Sequence, residues 1–218
     1  MSDEEKILSN VFANAVPKIS SPGTKTGNPS PLGMFAFALT TFIISLYTIQ
    51  VREITHPDVF VGVALFYGGF VQLLAGMWEF KVGNTFSATA CCSYGAYWIS
   101  FATILMPGFN ITSAYTTKSE LNQALGIFLL GWTIFAFLLF VASFKSKASI
   151  LLLNLSVIIT FSLLTASKFL ENIDIEKAGG FSGVITALLA WYNAMDQFLT
   201  EENSYFTLPN IDLSRKNK

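Results

Sequence analysis

Residues 121–167 read LNQALGIFLLGWTIFAFLLFVASFKSKASILLLNLSVIITFSLLTAS, and the only charges in the run are Lys145 and Lys147. A helix needs about 20 mostly apolar residues to cross the hydrocarbon core of a bilayer. The run therefore predicts two such helices, 121–144 and 148–167, joined by a very short basic link. Working outward, four more stretches are free of Asp, Glu, Lys and Arg: 32–51, 59–78, 84–106 and 178–195. The breaks between them carry turn chemistry or charge: His56-Pro57-Asp58, then Glu79 to Gly83, then Pro107-Gly108 with a polar loop through Lys118 and Glu120, and finally 168–177 with Lys168, Glu171, Asp174, Glu176 and Lys177. No stretch alternates as a membrane β-strand does.

Composition points the same way. The 218 residues are 52% hydrophobic and only 12% charged, whereas a soluble domain is about 25% charged. Too few charges remain to cover a water-facing surface, and 21 Phe residues would need hiding. A soluble all-α core fails for the same reason, since six such stretches leave nothing to cover them. A net charge of −1 gives no basic footprint for a nucleic-acid partner. Cys91 and Cys92 are adjacent, without the spacing of a zinc or redox motif, and read as small buried residues.

The expected fold is thus an all-α integral membrane protein with six transmembrane helices. Residues 1–27 read as a flexible tail, 28–199 as the six-helix membrane domain and 200–218 as a C-terminal tail. The first 27 residues hold no apolar signal-peptide core. Lys and Arg excess marks the cytoplasmic side. Six spans put both tails on one side, with Lys6, Lys18, Lys25, Lys81, Lys145, Lys147, Arg215, Lys216 and Lys218 against Arg52, Lys118, Lys168 and Lys177 on the other. Both termini are therefore expected in the cytoplasm. Asn110-Ile111-Thr112 matches a glycosylation acceptor in an outside loop, but lies so near the membrane surface that the match reads as accidental.

Small residues recur at helical spacings: Gly62, Gly69 and Gly76 on the second span, Ala88, Cys92, Ala96 and Ser100 on the third, and Gly180, Gly183, Ala187, Ala190 and Ala194 on the sixth. Such stripes allow close backbone approach, within one protomer or against another subunit.

The spans as read hold no fixed charge, which argues against a pump, a voltage sensor or a carrier with a built-in carboxylate proton site. Their polar residues are neutral: Thr40, Thr41, Ser45, Gln72, Ser93, Tyr94, Asn154, Ser156, Thr160 and Asn193. A single Ser or Thr ordinarily bonds its own helix. Gln72 and Asn154 have four hydrogen-bonding valences each, more than a helix backbone can satisfy, and are expected to face the bundle interior. Thr40, Thr41, Gln72, Ser93 and Asn154 are the candidates to line a path for a small solute. No nucleophile–base set, metal cluster or phosphate loop is legible, so the chain is not read as an enzyme and no cofactor is expected.

Asn28-Pro29-Ser30-Pro31-Leu32-Gly33 precedes the first span. The residue types suit a helix start. The doubled Pro also suits a short re-entrant segment whose N–H groups would attract a carboxylate. This motif, with Phe37, Thr40 and Thr41 after it, resembles the signature of the acetate uptake transporter family. That family includes bacterial succinate–acetate permeases and fungal proteins first described as ammonia exporters. Phe66-Tyr67-Gly68-Gly69 with Gln72, Ala75, Gly76 and Glu79 fits as well, as do Gly83 to Phe86 and Ser93-Tyr94-Gly95. Asn203-Ser204-Tyr205-Phe206, leading to Leu208-Pro209, looks like the fungal branch. The resemblance runs from about 27 to 209.

The resemblance implies a hexamer of six-helix protomers, each with its own solute path, in the plasma membrane. It also implies a hydrophobic constriction of Phe, Tyr and Leu, which correspond to Phe37, Tyr94 and the position of Val157. Val here departs from the pattern and widens the path by about one methylene, which would admit acids such as lactate. The expected solute is acetate or a similar small monocarboxylate, crossing alone or with a proton, with the lipid bilayer as surroundings. Two other readings stand beside it. One is ammonia or ammonium export, which the position of the sole histidine, His56, in a loop disfavours. The other is a non-transporting acetate sensor or membrane scaffold, for which the short tails offer little output surface.

Overall fold

A computed structural model describes residues 27–214. Six helices account for most of them: α1 (Ser30–Thr48), α2 (Asp58–Lys81), α3 (Thr85–Leu105), α4 (Lys118–Ala142), α5 (Ala148–Leu170) and α6 (Ile173–Phe198). Among the described residues there is no strand, only an isolated bridge between Lys147 and Asp212. By length and composition α1, α2, α4 and α5 are apolar enough to cross a membrane. The remaining two are as long but richer in small and polar residues, many of which lie inside. Gly179, Gly180, Gly183, Ala187, Ala190 and Ala194 of α6 are all buried. The outer surface is apolar instead, with Phe66 and Phe70 of α2 and Ile127, Phe137 and Leu138 of α4 exposed. That inverted pattern suits a lipid solvent.

The helix ends follow local chemistry, with some departures from the sequence expectation. Asn84, Thr117 and Asn172 cap α3, α4 and α6 through side-chain oxygens that accept backbone N–H groups. The 28–33 motif is a plain helix start: the Asn28 side-chain oxygen accepts the Ser30 N–H at 3.1 Å, Pro31 fits the first turn, and no re-entrant segment forms. Glu79 does not break its helix, because α2 runs on to Lys81. Lys168 likewise stays helical, and the α5–α6 break shrinks to Glu171 and Asn172. The expected tail from 200 is not free either. Ala148 N–H donates to Ile211 O at 2.8 Å and Leu213 N–H to Ser146 O at 3.1 Å, which straps the chain across the α4–α5 link. The reading of 1–26 and 215–218 as tails falls outside the described residues.

Neighbours around the bundle run α4–α5–α6–α1–α2–α3. Small residues set the closest approaches. A Cβ added at Gly183 of α6 would fall 2.2 Å from Ser45 Oγ of α1, and one at Gly76 of α2 2.7 Å from the Cys92 backbone nitrogen of α3. The seven-residue glycine repeat is therefore split in purpose: Gly69 and Gly76 are packed, while nothing lies within 4 Å of a Cβ at Gly62. On α3 the packed face is Ala88, Cys91, Gly95, Trp98 and Ala102, whereas Ala96 is exposed. Between Ala64 and Val71 α2 winds as a π-helix, with Gly68 pressed on Thr40. A π segment shifts the helical phase of the turns beyond it. In those turns Gln72, Ala75, Gly76 and Glu79 share the buried side.

Overpacking a close backbone contact typically costs about 1–3 kcal/mol. Gly76→Ala is expected to lower the thermal midpoint of the detergent-purified protein, while Gly62→Ala leaves it level or slightly higher. Equal midpoints would show that α2 and α3 are not in backbone contact.

Candidate functional site

Among the described residues, two cavities enter the interior from opposite ends. The wide one, about 340 Å³, opens between the ends of α1, α3 and α5 and the starts of α4 and α6. The narrow one, about 30 Å³, lies by the starts of α1, α3 and α5, next to Gln72 of α2. It has room for a water molecule or two. Phe37 and Val157 line both cavities, and Tyr94 lines the narrow one. The three sequence candidates from α1, α3 and α5 thus meet in the layer between the cavities.

Aromatic contacts build that layer. The Phe37 and Tyr94 ring centroids are 5.3 Å apart, Tyr94 stacks on Phe161 at 6.3 Å and 13°, and its edge meets Phe135 at 5.6 Å. Tyr97 touches Phe161, Phe128 and Trp132 at 5.1–5.8 Å. Such pairs contribute roughly 0.5–1.5 kcal/mol each beyond their area. They also fill the gap between α3 and α4. Tyr97, Trp98 and Phe161 were not among the sequence candidates. The i, i+3, i+4 spacing of Tyr94, Tyr97 and Trp98 was the available signal, since it places all three on one face of α3.

Polar candidates divide by helix face. Thr41 lines the wide cavity, buried, and its Oγ1 makes no hydrogen bond. Trp98 Nε1 is in the same position on the same cavity. Gln72 and Asn154 both face inward on the narrow cavity. Gln72 Oε1 and the Tyr94 hydroxyl have no partner, while Asn154 Nδ2 donates to Ile150 O at 2.9 Å. Thr40 points elsewhere: its Oγ1 donates to Ala36 O at 2.8 Å and it packs on Gly68. Ser93 is half-buried and lines neither cavity. A buried polar atom without a partner forfeits about 1–3 kcal/mol. Four such atoms, on Thr41, Trp98, Gln72 and Tyr94, belong to residues lining the cavities around one apolar layer.

One fully buried charge lies just past the charge-free stretch 59–78, on the same helix. Glu79 is wholly buried on α2 and accepts a hydrogen bond from the Ser30 hydroxyl of the 28–33 motif. Its other oxygen makes no hydrogen bond, with the Asn84 side chain close by. It lies along the inner face of α2, two turns beyond Gln72. Within the signature Asn28, Pro29, Ser30, Pro31, Leu32 and Gly33, Ser30 therefore ties the start of α1 to α2. Leu32 itself is exposed, and a Cβ at Gly33 would fall 2.7 Å from Cys91 Sγ. Among the described residues no group of His, Cys, Asp and Glu is arranged to hold a metal.

A sequence model of the GPR1/FUN34/yaaH family matches residues 12–215. Ammonia transport outward protein 2 of Saccharomyces cerevisiae is 46% identical over 198 residues, which cover 88% of this chain and 70% of that protein. Acetate permease A of Emericella nidulans is 44% identical over 196 residues, covering 85% of this chain and 66% of that protein. The solved structure of the bacterial acetate channel SatP aligns with a TM-score of 0.77 at 32% identity, covering 85% of this chain and 99% of that one.

Removing an unsatisfied buried hydroxyl while keeping its ring should not destabilise the fold. Tyr94→Phe is expected to melt at or above the wild-type temperature, and Tyr94→Ala to lose about 3–5 kcal/mol. A Tyr94→Phe protein that melts lower would mean the hydroxyl has a partner.

Proposed function

The chain belongs to the GPR1/FUN34/yaaH family, and from that premise we propose that it passes acetate and similarly small monocarboxylates across a membrane. The observation that carries the reading is the pair of cavities entering from opposite ends and parted by Phe37, Tyr94 and Val157. In this reading the three side chains form the constriction of a path within each protomer. Thr41, Gln72 and Asn154 offer hydrogen bonds beside it, as does Trp98. Thr40 and Ser93 drop out of the path lining.

The chemistry favours a neutral passenger at the constriction. A desolvated, unpaired anion in an apolar layer is expensive. A carboxylic acid, or an anion that crosses with a proton, avoids that cost. Proton-accompanied movement is therefore part of the proposal.

The reading includes the membrane topology. Helices of 19 to 26 residues are about 28–39 Å long, enough for a hydrocarbon core of about 30 Å. Residues 28–199 would cross six times with both ends in the cytoplasm, where Lys and Arg concentrate. The family resemblance supports a hexamer and a plasma-membrane address. Ammonia movement is the second reading, and the name of the 46% identical relative favours it. His56, the single histidine, is exposed on the α1–α2 connection and lines neither cavity.

Labelled acetate uptake into proteoliposomes, with and without an inward proton gradient, tests the proposal. Saturable entry that Phe37→Ala and Tyr94→Ala change is expected. No entry by correctly folded protein sinks it, and labelled methylammonium then tests the second reading. Val157→Leu is expected to reduce lactate entry relative to acetate, because it returns a methylene to the constriction. An unchanged ratio would remove Val157 from the selectivity account.

A further inference from the structure

The mouth of the wide cavity carries a pair of charges that the constriction does not use. Lys168 stands in the last turn of α5 and Glu176 in the first turn of α6, with Nζ and Oε1 2.6 Å apart. Their side chains are 22% and 28% exposed, so the pair is neither sealed in nor freely solvated. Among the described residues they are the only charged ones lining the cavity, whose other walls are apolar or hydroxyl-bearing. Glu171, Asp174 and Lys177 belong to the same turn region but not to the lining.

We infer that Lys168 and Glu176 form a carboxylate-capture site, in which the Lys168 ammonium draws the anionic solute into the mouth and Glu176 is the built-in competitor that the solute displaces. The inference rests on the acetate reading above. A cleft with apolar walls focuses the field of its charges and raises the local concentration of the opposite ion. Acetate and Glu176 present the same group to Lys168, so the exchange replaces one carboxylate by another without leaving the ammonium bare.

The route inward is already polar on one side. Thr48, Ser45 and Thr41 follow one another along α1 at spacings of three and four, and all line the cavity. Thr160 and Thr186 face them from α5 and α6, with their hydroxyls 3.0 Å apart. The free donors of Thr41 and Trp98 lie at the inner end, beside Phe37.

The competing role is a clamp across the α5–α6 turn. Charges of these signs do suit their helix ends. The turn is closed without them, however. Asn172 caps α6 through Asp174 N–H and Ile175 N–H, and its own N–H donates to Ser167 O at 3.0 Å. A partly solvated ion pair adds only modestly to such an arrangement.

Capture and clamp differ in sign. The experiment is concentration-dependent acetate uptake by the reconstituted full chain at neutral pH, where a carboxylic acid of pKa about 4–5 is an anion. Capture predicts that Lys168→Gln raises KM about two- to fivefold, that Glu176→Gln lowers it by a similar factor, and that Lys168→Arg keeps it near wild type. It also predicts that the wild-type KM rises as salt goes from about 0.05 to 0.5 M, a readout that needs no variant to fold. Lys168→Gln and Glu176→Gln moving KM together, or a KM that ignores both them and salt, overturns the capture site. Wild-type protein that moves no acetate removes instead the function on which the site rests.

Discussion

Tyr94 is the ring around which the interior is organised. It touches Phe37 of α1, Trp132 and Phe135 of α4 and Phe161 of α5. A ring of that size held by four neighbours has few places to go, since packed interiors transmit displacement rather than absorb it. The same contacts close the bundle between α3 and α4, where no small-residue seam does so. Bundle closure and the division of the interior into two cavities are thus one event. Anything that moves Tyr94 alters both.

Elsewhere the bundle is held by absence of side chain. Gly180 and Gly183 let α6 lie against Ser45, Thr48 and Ile49 of α1, and Gly76 and Gly95 let α3 lie against α2. In lipid, helices gain little by hiding apolar surface from one another, so close van der Waals contact and interhelical hydrogen bonds carry the assembly. The Ser30–Glu79 bond belongs to that class. So does the cluster where α5 starts and α6 ends, where Ser149 donates to Asn193 at 2.7 Å and Lys147 pairs with Asp196 at 2.7 Å. Asn210 joins it from the returning C-terminal segment, at 2.6 Å from Ser149 Oγ and 3.0 Å from Asp196. Both lie on the side of the narrow cavity. That end is braced by polar bonds, while the wide end is lined by hydroxyls and one ion pair.

The polar groups along the interior share a logic. In the proposed reading, hydroxyls and amides line the walls, and among the described residues no Lys or Arg lines the narrow cavity beside the aromatic layer. Binding strong enough to enter and weak enough to leave is what permeation needs. The charged pair sits outside that region, where water still screens it.

Much of this protein is legible in its sequence, because a bilayer imposes a rule that a run of residues must satisfy by itself. Long charge-free runs forecast the six helices, and the amide valences of Gln72 and Asn154 forecast their inward direction. The 28–33 motif with Phe37 and Tyr94 pointed to residues that the fold does bring together. Several points turn on tertiary contacts that no local run of sequence records. Glu79 and Lys168 look like helix breaks in isolation and are helical in the structure. Glu79 can stay buried because Ser30, 49 residues away, donates to it. Thr40 and Thr41 are indistinguishable as letters, yet one turns to Gly68 and the other to the wide cavity. Neighbouring residues on a helix point about 100° apart. Which of them meets the cavity is set by the rotation of α1, and that rotation is fixed by close contacts with α2 and α6 that no local pattern records.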